Sequence, residues 1–118
     1  MSLPDDGSNA SQAIVMAVTT VATMAEAQTL ATSLVDRRLA ACCQIVGPMT
    51  SIYRWQGKLE QSAEYQVWIK TRHDRWKELE LSVQELHPYD VPELLLVDIS
   101  AASEPYAQWL HAQLDEQE

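Results

Sequence analysis

Two adjacent thiols, Cys42 and Cys43, are the softest donors in the chain and its only cysteines. A thiolate prefers copper(I), zinc or mercury to hard cations, while a free cysteine serves equally well as a small buried hydrophobe. Neighbouring side chains on a strand point to opposite faces, so at most one of the pair enters a given pocket. A bond between the two would demand unusual geometry. Without a third cysteine there is no disulfide framework within the chain, which points to a reducing, cytoplasmic setting. A second donor set is His87-Pro88-Tyr89-Asp90-Val91-Pro92-Glu93. Its two prolines fix the backbone of a short connection, and such a loop holds polar side chains in defined places. His87 offers an imidazole nitrogen, and Asp90 and Glu93 offer oxygens; alternatively His87 ends a helix and bonds its last carbonyls.

The third set, Thr50 to Lys58, mixes Tyr53 and Trp55 with Arg54 and Lys58. Aromatics beside cations stack on nucleic-acid bases, or they form cross-strand pairs that stiffen a hairpin and pack onto a neighbour. His73 and His111 fall at exposed or terminal positions and carry no functional expectation. Cys42 and His87 sketch a nucleophile with its base, but two residues do not make an active site. There is no glycine-rich phosphate loop, HExxH, CxxC or G-x-S-x-G. The expectation is a protein that is not an enzyme.

The elements that must position these groups follow from periodicity. Ile14 to Val18 is apolar on both alternating sets, as in a strand buried on both faces. Thr23-Met24-Ala25-Glu26 fits a capping box in which the carboxylate reaches back to the cap. Ala27, Leu30, Ala31, Leu34 and Val35 then mark one face of a helix, with Arg37 and Arg38 in its last turn. Ala40 to Val46 predicts a second strand, interrupted at Gly47-Pro48 and resuming over Thr50 to Trp55. Gln56-Gly57 supplies a turn, and the return from Lys58, alternating over Tyr65 to Lys70, completes a long hairpin. Trp76, Leu79, Val83 and Leu86 predict a second helix that Pro88 ends. Leu94 to Ile99 has the length and apolarity of a central strand. Ser103-Glu104-Pro105 opens a last helix with the stripe Tyr106, Trp109, Leu110 and Leu114.

This order is an α+β fold, the ferredoxin-like βαββαβ sandwich with an extra C-terminal helix. With both long helices on one face, the other apolar face needs a cover, and a second copy of the chain is the simplest one. The domain spans residues 13–118, behind a disordered tail over residues 1–12 that lacks the basic and apolar regions of a signal peptide. Acidic residues outnumber basic ones by 17 to 8 in 118 residues, a net charge of −9. That balance repels phosphate backbones and anionic membranes, so neither nucleic acid nor membrane is an expected partner. No apolar run approaches the roughly 20 residues of a membrane span.

Taken in order, Arg38-Leu39-Ala40-Ala41-Cys42, Thr50-Ser51-Ile52-Tyr53, Trp55-Gln56-Gly57-Lys58, Ile69-Lys70-Thr71 and His87 to Glu93 resemble the CutA divalent-cation-tolerance family from about Ile14 to Leu114. The resemblance implies a homotrimer related in architecture to PII signalling proteins, cytoplasmic and associated with copper and other divalent metals. The family's cysteine matches Cys42 and its loop histidine His87; with Glu93 they are the metal-ligand candidates, brought together across a subunit boundary. Copper-binding members can carry a further cysteine near the end of the first strand, where this chain reads Ala17-Val18-Thr19-Thr20. The implied function is non-enzymatic binding of, and response to, divalent metal such as copper, held weakly or transiently rather than as an obligatory cofactor. The alternative is a PII-like signalling or scaffold trimer that binds a small anionic ligand or a partner protein in clefts between subunits. Tyr53, Trp55, Lys70 and Tyr89 are its cleft candidates, with Arg72 and Lys58 as further cations.

Overall fold

Ile14–Val21 (β1) runs three residues past the expected end, because Thr19 and Thr20 are β-branched and extend the strand. The computed structural model describes residues 10–116. The expected tail lies outside them apart from residues 10–12, where the Ala13 N–H donates to Ala10 O at 3.2 Å. Met24–Asp36 (α1) begins at Thr23, whose Oγ1 accepts the Glu26 N–H at 3.1 Å. The expected return bond is not made, and Glu26 Oε1 is buried without a partner. The chain leaves α1 through Arg38 at φ 60°, and the Leu39 and Ala40 amides both donate to Leu34 O. Glycine is the usual residue there. Both arginines reach beyond the helix: Arg37 to Glu85 at 3.1 Å, and Arg38 to Gln113 O at 2.7 Å.

Cys42–Trp55 (β2) and Lys58–Arg72 (β3) form the hairpin. Its turn residues Gln56 and Gly57 both have positive φ, 50° and 80°, matching the twist of the strands they join. The ladder runs from Cys42↔Lys70 to Val46↔Gln66, slips at Gly47-Pro48, and resumes from Met49↔Glu64 to Trp55↔Lys58. A bulge thus absorbs the proline. Gly47 is required, since at its φ of 152° a Cβ would stand 2.9 Å from the Tyr65 ring.

Trp76–Leu86 (α2) follows a short 3-10 turn, His73–Arg75, and Leu95–Asp98 (β4) and Glu104–Asp115 (α3) complete the chain. The antiparallel sheet has the order β2-β3-β1-β4. Helices α1 and α2 cover one face, burying Ala17, Val21, Leu34, Val67, Ile69, Leu79 and Val83. β4 corrects the expectation of a central strand. It is a four-residue edge strand paired with β1 alone. Leu96 packs on the helix-covered core, while Leu95 is 56% exposed and Val97 42%.

The closing helix lies on the opposite face, where Leu110 and Leu114 pack with Ala41 against Ile14. Ser103 makes no side-chain cap bond. The hold on α3 is at its other end, where three arginines converge. Arg38 takes Gln113 O, Arg75 takes Leu114 O at 2.8 Å, and Arg72 donates to both Asp115 oxygens at 2.8 and 2.9 Å. Cations suit the carbonyl end of a helix. Arg72 is 2% exposed and also donates to both Asp74 oxygens and to His111 Nδ1, which therefore acts as an acceptor.

Hydrogen bonding from Arg72 holds the Asp115 carboxyl below its ordinary 3.8. A lowered carboxyl stabilises the fold above its unfolded pKa and loses that contribution as pH falls through the folded one. The stability difference between wild type and Asp115→Asn, from urea denaturation, is expected to be constant above about pH 5 and to shrink below about pH 4. A difference that grows on acidification contradicts the clamp.

Candidate functional site

β1 stops at Val21, opposite Tyr65, so residues 49–55 and 58–64 pair only with each other and project as an arm. The molecule is 56 Å long as a result, against 32 and 24 Å in its other dimensions. The connection from α2 to β4 returns beside the base of this arm. Between them lies an open cleft of about 660 Å3, lined by Ser51, Ile52, Tyr53 and Trp55 of β2, Glu64 of β3 and Thr20 of β1. Tyr89, Asp90, Val91 and Glu93 of the connection form its other wall.

His87 anchors that wall. Its Nε2–H donates to Thr20 O at 2.8 Å, and its Nδ1 accepts the Tyr89 N–H at 3.1 Å. Both ring nitrogens are thereby used, and the imidazole is 7% exposed. It does not cap its own helix through the side chain; it ties the connection to the end of β1. The Tyr89 ring lies 4.8 Å from the His87 ring, and its hydroxyl donates to Glu64 Oε2 at 2.9 Å. Burial and this donation to a carboxylate push the Tyr89 phenol up to about 12. Tyr89 therefore remains a donor throughout the physiological range and fixes the position of Glu64. On the same wall, the Thr19 hydroxyl donates to the backbone carbonyl of Glu93.

Of the sequence-derived candidates, Tyr53, Trp55, Tyr89 and Glu93 meet at this cleft, with His87 behind it. Cys42 and Lys70 do not. They are register partners four residue steps from the Val46↔Gln66 pair, about 13 Å along the strands, under α3. There Tyr106 lies beside Cys42, and Lys70 Nζ stands 5.8 Å from the Tyr106 ring centroid. Within one chain, then, Cys42 and His87 are at opposite ends of the sheet. Cys43 faces the helix-covered core, as alternation requires. Arg72 is committed to its carboxylates. Glu64 escaped the sequence reading, since a glutamate in an alternating strand is indistinguishable from a solvated one until Tyr89 is placed against it.

The cleft carries three carboxylates, Glu64, Asp90 and Glu93, and its lining includes no lysine, arginine or histidine. Among the described residues, no three His, Cys, Asp or Glu side chains converge closely enough to hold a metal ion. No helix among them is long and apolar enough to cross a membrane.

A four-stranded antiparallel sheet with two helices on one face and this strand order defines a ferredoxin-like α+β protein. The sequence pattern of the family described as "CutA1 divalent ion tolerance protein" matches residues 15–113, and the chain belongs to that family. It is 43% identical over 88 residues to a divalent-cation tolerance protein CutA of Pectobacterium atrosepticum, covering 75% of this chain and 80% of that one. A protein of the same description from Thermus thermophilus is 43% identical over 84 residues, 71% of this chain and 82% of the relative. Among solved structures, CutA1 from Oryza sativa superposes with a TM-score of 0.86 at 32% identity, covering 92% of this chain and 99% of that one. CutA from Synechococcus elongatus gives 0.85 at 38%, covering 88% and 92%. Membership of this family associates the chain with divalent-cation tolerance.

The two thiols differ in a way that can be measured. Burial, reinforced by the neighbouring Cys42, pushes the Cys43 thiol up to about 12. Since the thiolate is the reactive form, native Cys42→Ser protein is expected to react with maleimide at pH 8 at least about 100-fold more slowly than the same protein in urea. Comparable rates would show that Cys43 is not buried as described.

Proposed function

We propose that the chain is a non-enzymatic divalent-cation-tolerance protein that works as a homotrimer in the reducing cytoplasm. It takes up divalent cations, copper among them, at the acidic cleft. The observation that carries this reading is the placement of Glu64, Asp90 and Glu93 around one cleft with no cation to neutralise them. Their summed field concentrates cations and repels small anions. Because the carboxylates do not converge, a divalent ion keeps much of its water there and exchanges readily, which suits weak, transient binding. The anionic-ligand alternative has less support, since Lys70 sits beside Tyr106 and Arg72 is buried in its own ion pairs. For soft copper(I) the donor of choice is Cys42. A site shared between copies would draw more readily on Glu93 than on His87, which would have to surrender the Tyr89 amide or Thr20 carbonyl.

The arm supports the assembly. A two-stranded ribbon is marginal on its own, and here Ile52 is 66% exposed, Leu59 72% and Trp55 58%. An arm seated on a different surface of the next copy is a heterologous contact, and such contacts close into rings when the rotation between copies permits; the family resemblance sets the number at three.

Size-exclusion chromatography with light scattering should return three times the chain mass for wild type and a smaller species for Ile52→Asp/Leu59→Asp. A wild-type monomer at micromolar concentration would sink the assembly. Calorimetric titration with Cu2+ and Zn2+ under non-thiol reducing conditions should show at least about a tenfold loss of affinity in Glu64→Gln/Asp90→Asn/Glu93→Gln. Unchanged affinity removes the cleft from the function, and the same titration of Cys42→Ser isolates any contribution of the thiol.

A further inference from the structure

We infer that Tyr89 is a positioning residue for the arm: acting through Glu64, it braces the hairpin against the body of the chain at the angle from which the arm meets the next copy. The inference rests on the reading that the arm carries assembly, and it adds what holds the arm in place before a partner arrives.

The arm leaves the sheet at a weak point. Residues 49–55 and 58–64 pair only with each other, and the ladder slips between Val46 and Met49, where the arm begins. A bulge leaves a residue unpaired and bends its strand, and a two-stranded ribbon is marginal on its own. Such a junction is a hinge unless something crosses it. The Tyr89 hydroxyl does so, donating to Glu64 Oε2 at 2.9 Å on the first arm pair past the slip, Met49↔Glu64. Among the described residues it is the one side-chain hydrogen bond between the arm and the rest of the chain; the Tyr53–Ser62 contact stays within the arm.

The anchor behind Tyr89 is firm. Its ring lies 4.8 Å from that of His87, which bonds both the Tyr89 amide and Thr20 O, while the Thr19 hydroxyl holds the Glu93 carbonyl on the same connection. Both threonines belong to the end of β1, the strand whose shortness frees the arm. The path Thr20–His87–Tyr89–Glu64 thus runs from the middle of the sheet to the root of the arm. A donor to a carboxylate makes a stronger bond than one between neutral groups, and both partners are half-buried, where water competes less. An arm already at its docking angle loses less freedom on association than one that swings. Where only a fraction of free chains hold that angle, the apparent affinity falls by that fraction.

The test uses Tyr89→Phe, which keeps the ring and removes the hydroxyl. Hydrogen–deuterium exchange of the arm amides is followed in the Ile52→Asp/Leu59→Asp chain, where no partner protects them. Tyr89→Phe is expected to speed exchange over residues 49–64 at least about fivefold, and to leave that of the core strand around Val67 and Ile69 unchanged. Added to Glu64→Val, the same substitution should change arm exchange by less than about twofold, because its partner is already gone. With Ile52 and Leu59 intact, light scattering on serial dilution, in urea below the unfolding transition, should find Tyr89→Phe dissociating at a concentration at least about tenfold above wild type. Equal arm exchange in Tyr89→Phe and its parent overturns the proposal, and so does an undiminished effect in the Glu64→Val chain. Faster arm exchange with unchanged dissociation of an assembling wild type overturns it as well, since the brace would not serve assembly. Faster arm exchange beside a monomeric wild type supports the brace and removes the assembly reading instead.

Discussion

The architecture turns on a mismatch of strand lengths. β3 has 15 residues, and its partner β1 has eight. Over residues 66–70, β3 carries ladders on both edges, and its inward side chains Val67 and Ile69, like Thr71 just beyond, are fully buried. Over residues 58–64 only β2 accompanies it. The step between these regimes is where the cleft lies. The bulge at Gly47-Pro48 sits at the step and increases the local twist, which aims the arm. The connection from α2 comes down into the corner that the missing length of β1 leaves open, and His87 closes it against the last residues of that strand. A β1 as long as β3 would fill this corner with a third ladder and leave no cleft.

At the other end of β3 the constraint is charge. Arg72 is buried on the face that α3 covers, and a buried guanidinium is tolerable only when fully bonded. Asp74 supplies partners from the turn that follows, and Asp115 supplies them from the far end of the chain. The requirement of one side chain thus fixes the register of the final helix on the sheet. That placement brings Tyr106 over Cys42. The two adjacent thiols consequently have different environments, one packed against the helix-covered core of the first face and the other beside a tyrosine on the second.

Much of this was legible in the sequence because it rests on local periodicity. The apolar spacing of α1, the Thr23 cap and the turn at Gln56-Gly57 depend on neighbours within a few residues. The position of β4 was not legible, because a short apolar run has the same pattern in the middle of a sheet as at an edge awaiting a cover. The role of Glu64 was hidden for a related reason, since Tyr89 lies 25 residues away and only the fold sets them together. Lys70 shows the converse case within one chain. Its place beside Thr71 and Arg72 suggested a basic cleft, yet alternation and α3 assign the three residues to a cation–π contact, a bond to Leu39 O and a buried clamp.

Assembly and cation uptake bear on each other through the charge of the chain. Each copy carries −9, so drawing copies together opposes like charges. The arm offers apolar area to drive contact, and its only basic residues, Arg54 and Lys58, are exposed near its tip, whereas the carboxylates of the cleft lie at its base. A cation held at the acidic cleft neutralises part of that charge. By linkage, whatever binds the assembled form more tightly than the separate chains stabilises assembly by the same free energy. In the proposed trimer, a metal ion at the cleft is then a counter-ion of assembly as much as a cargo. This explains how a site without a complete set of metal ligands could still be sensitive to the cations around it.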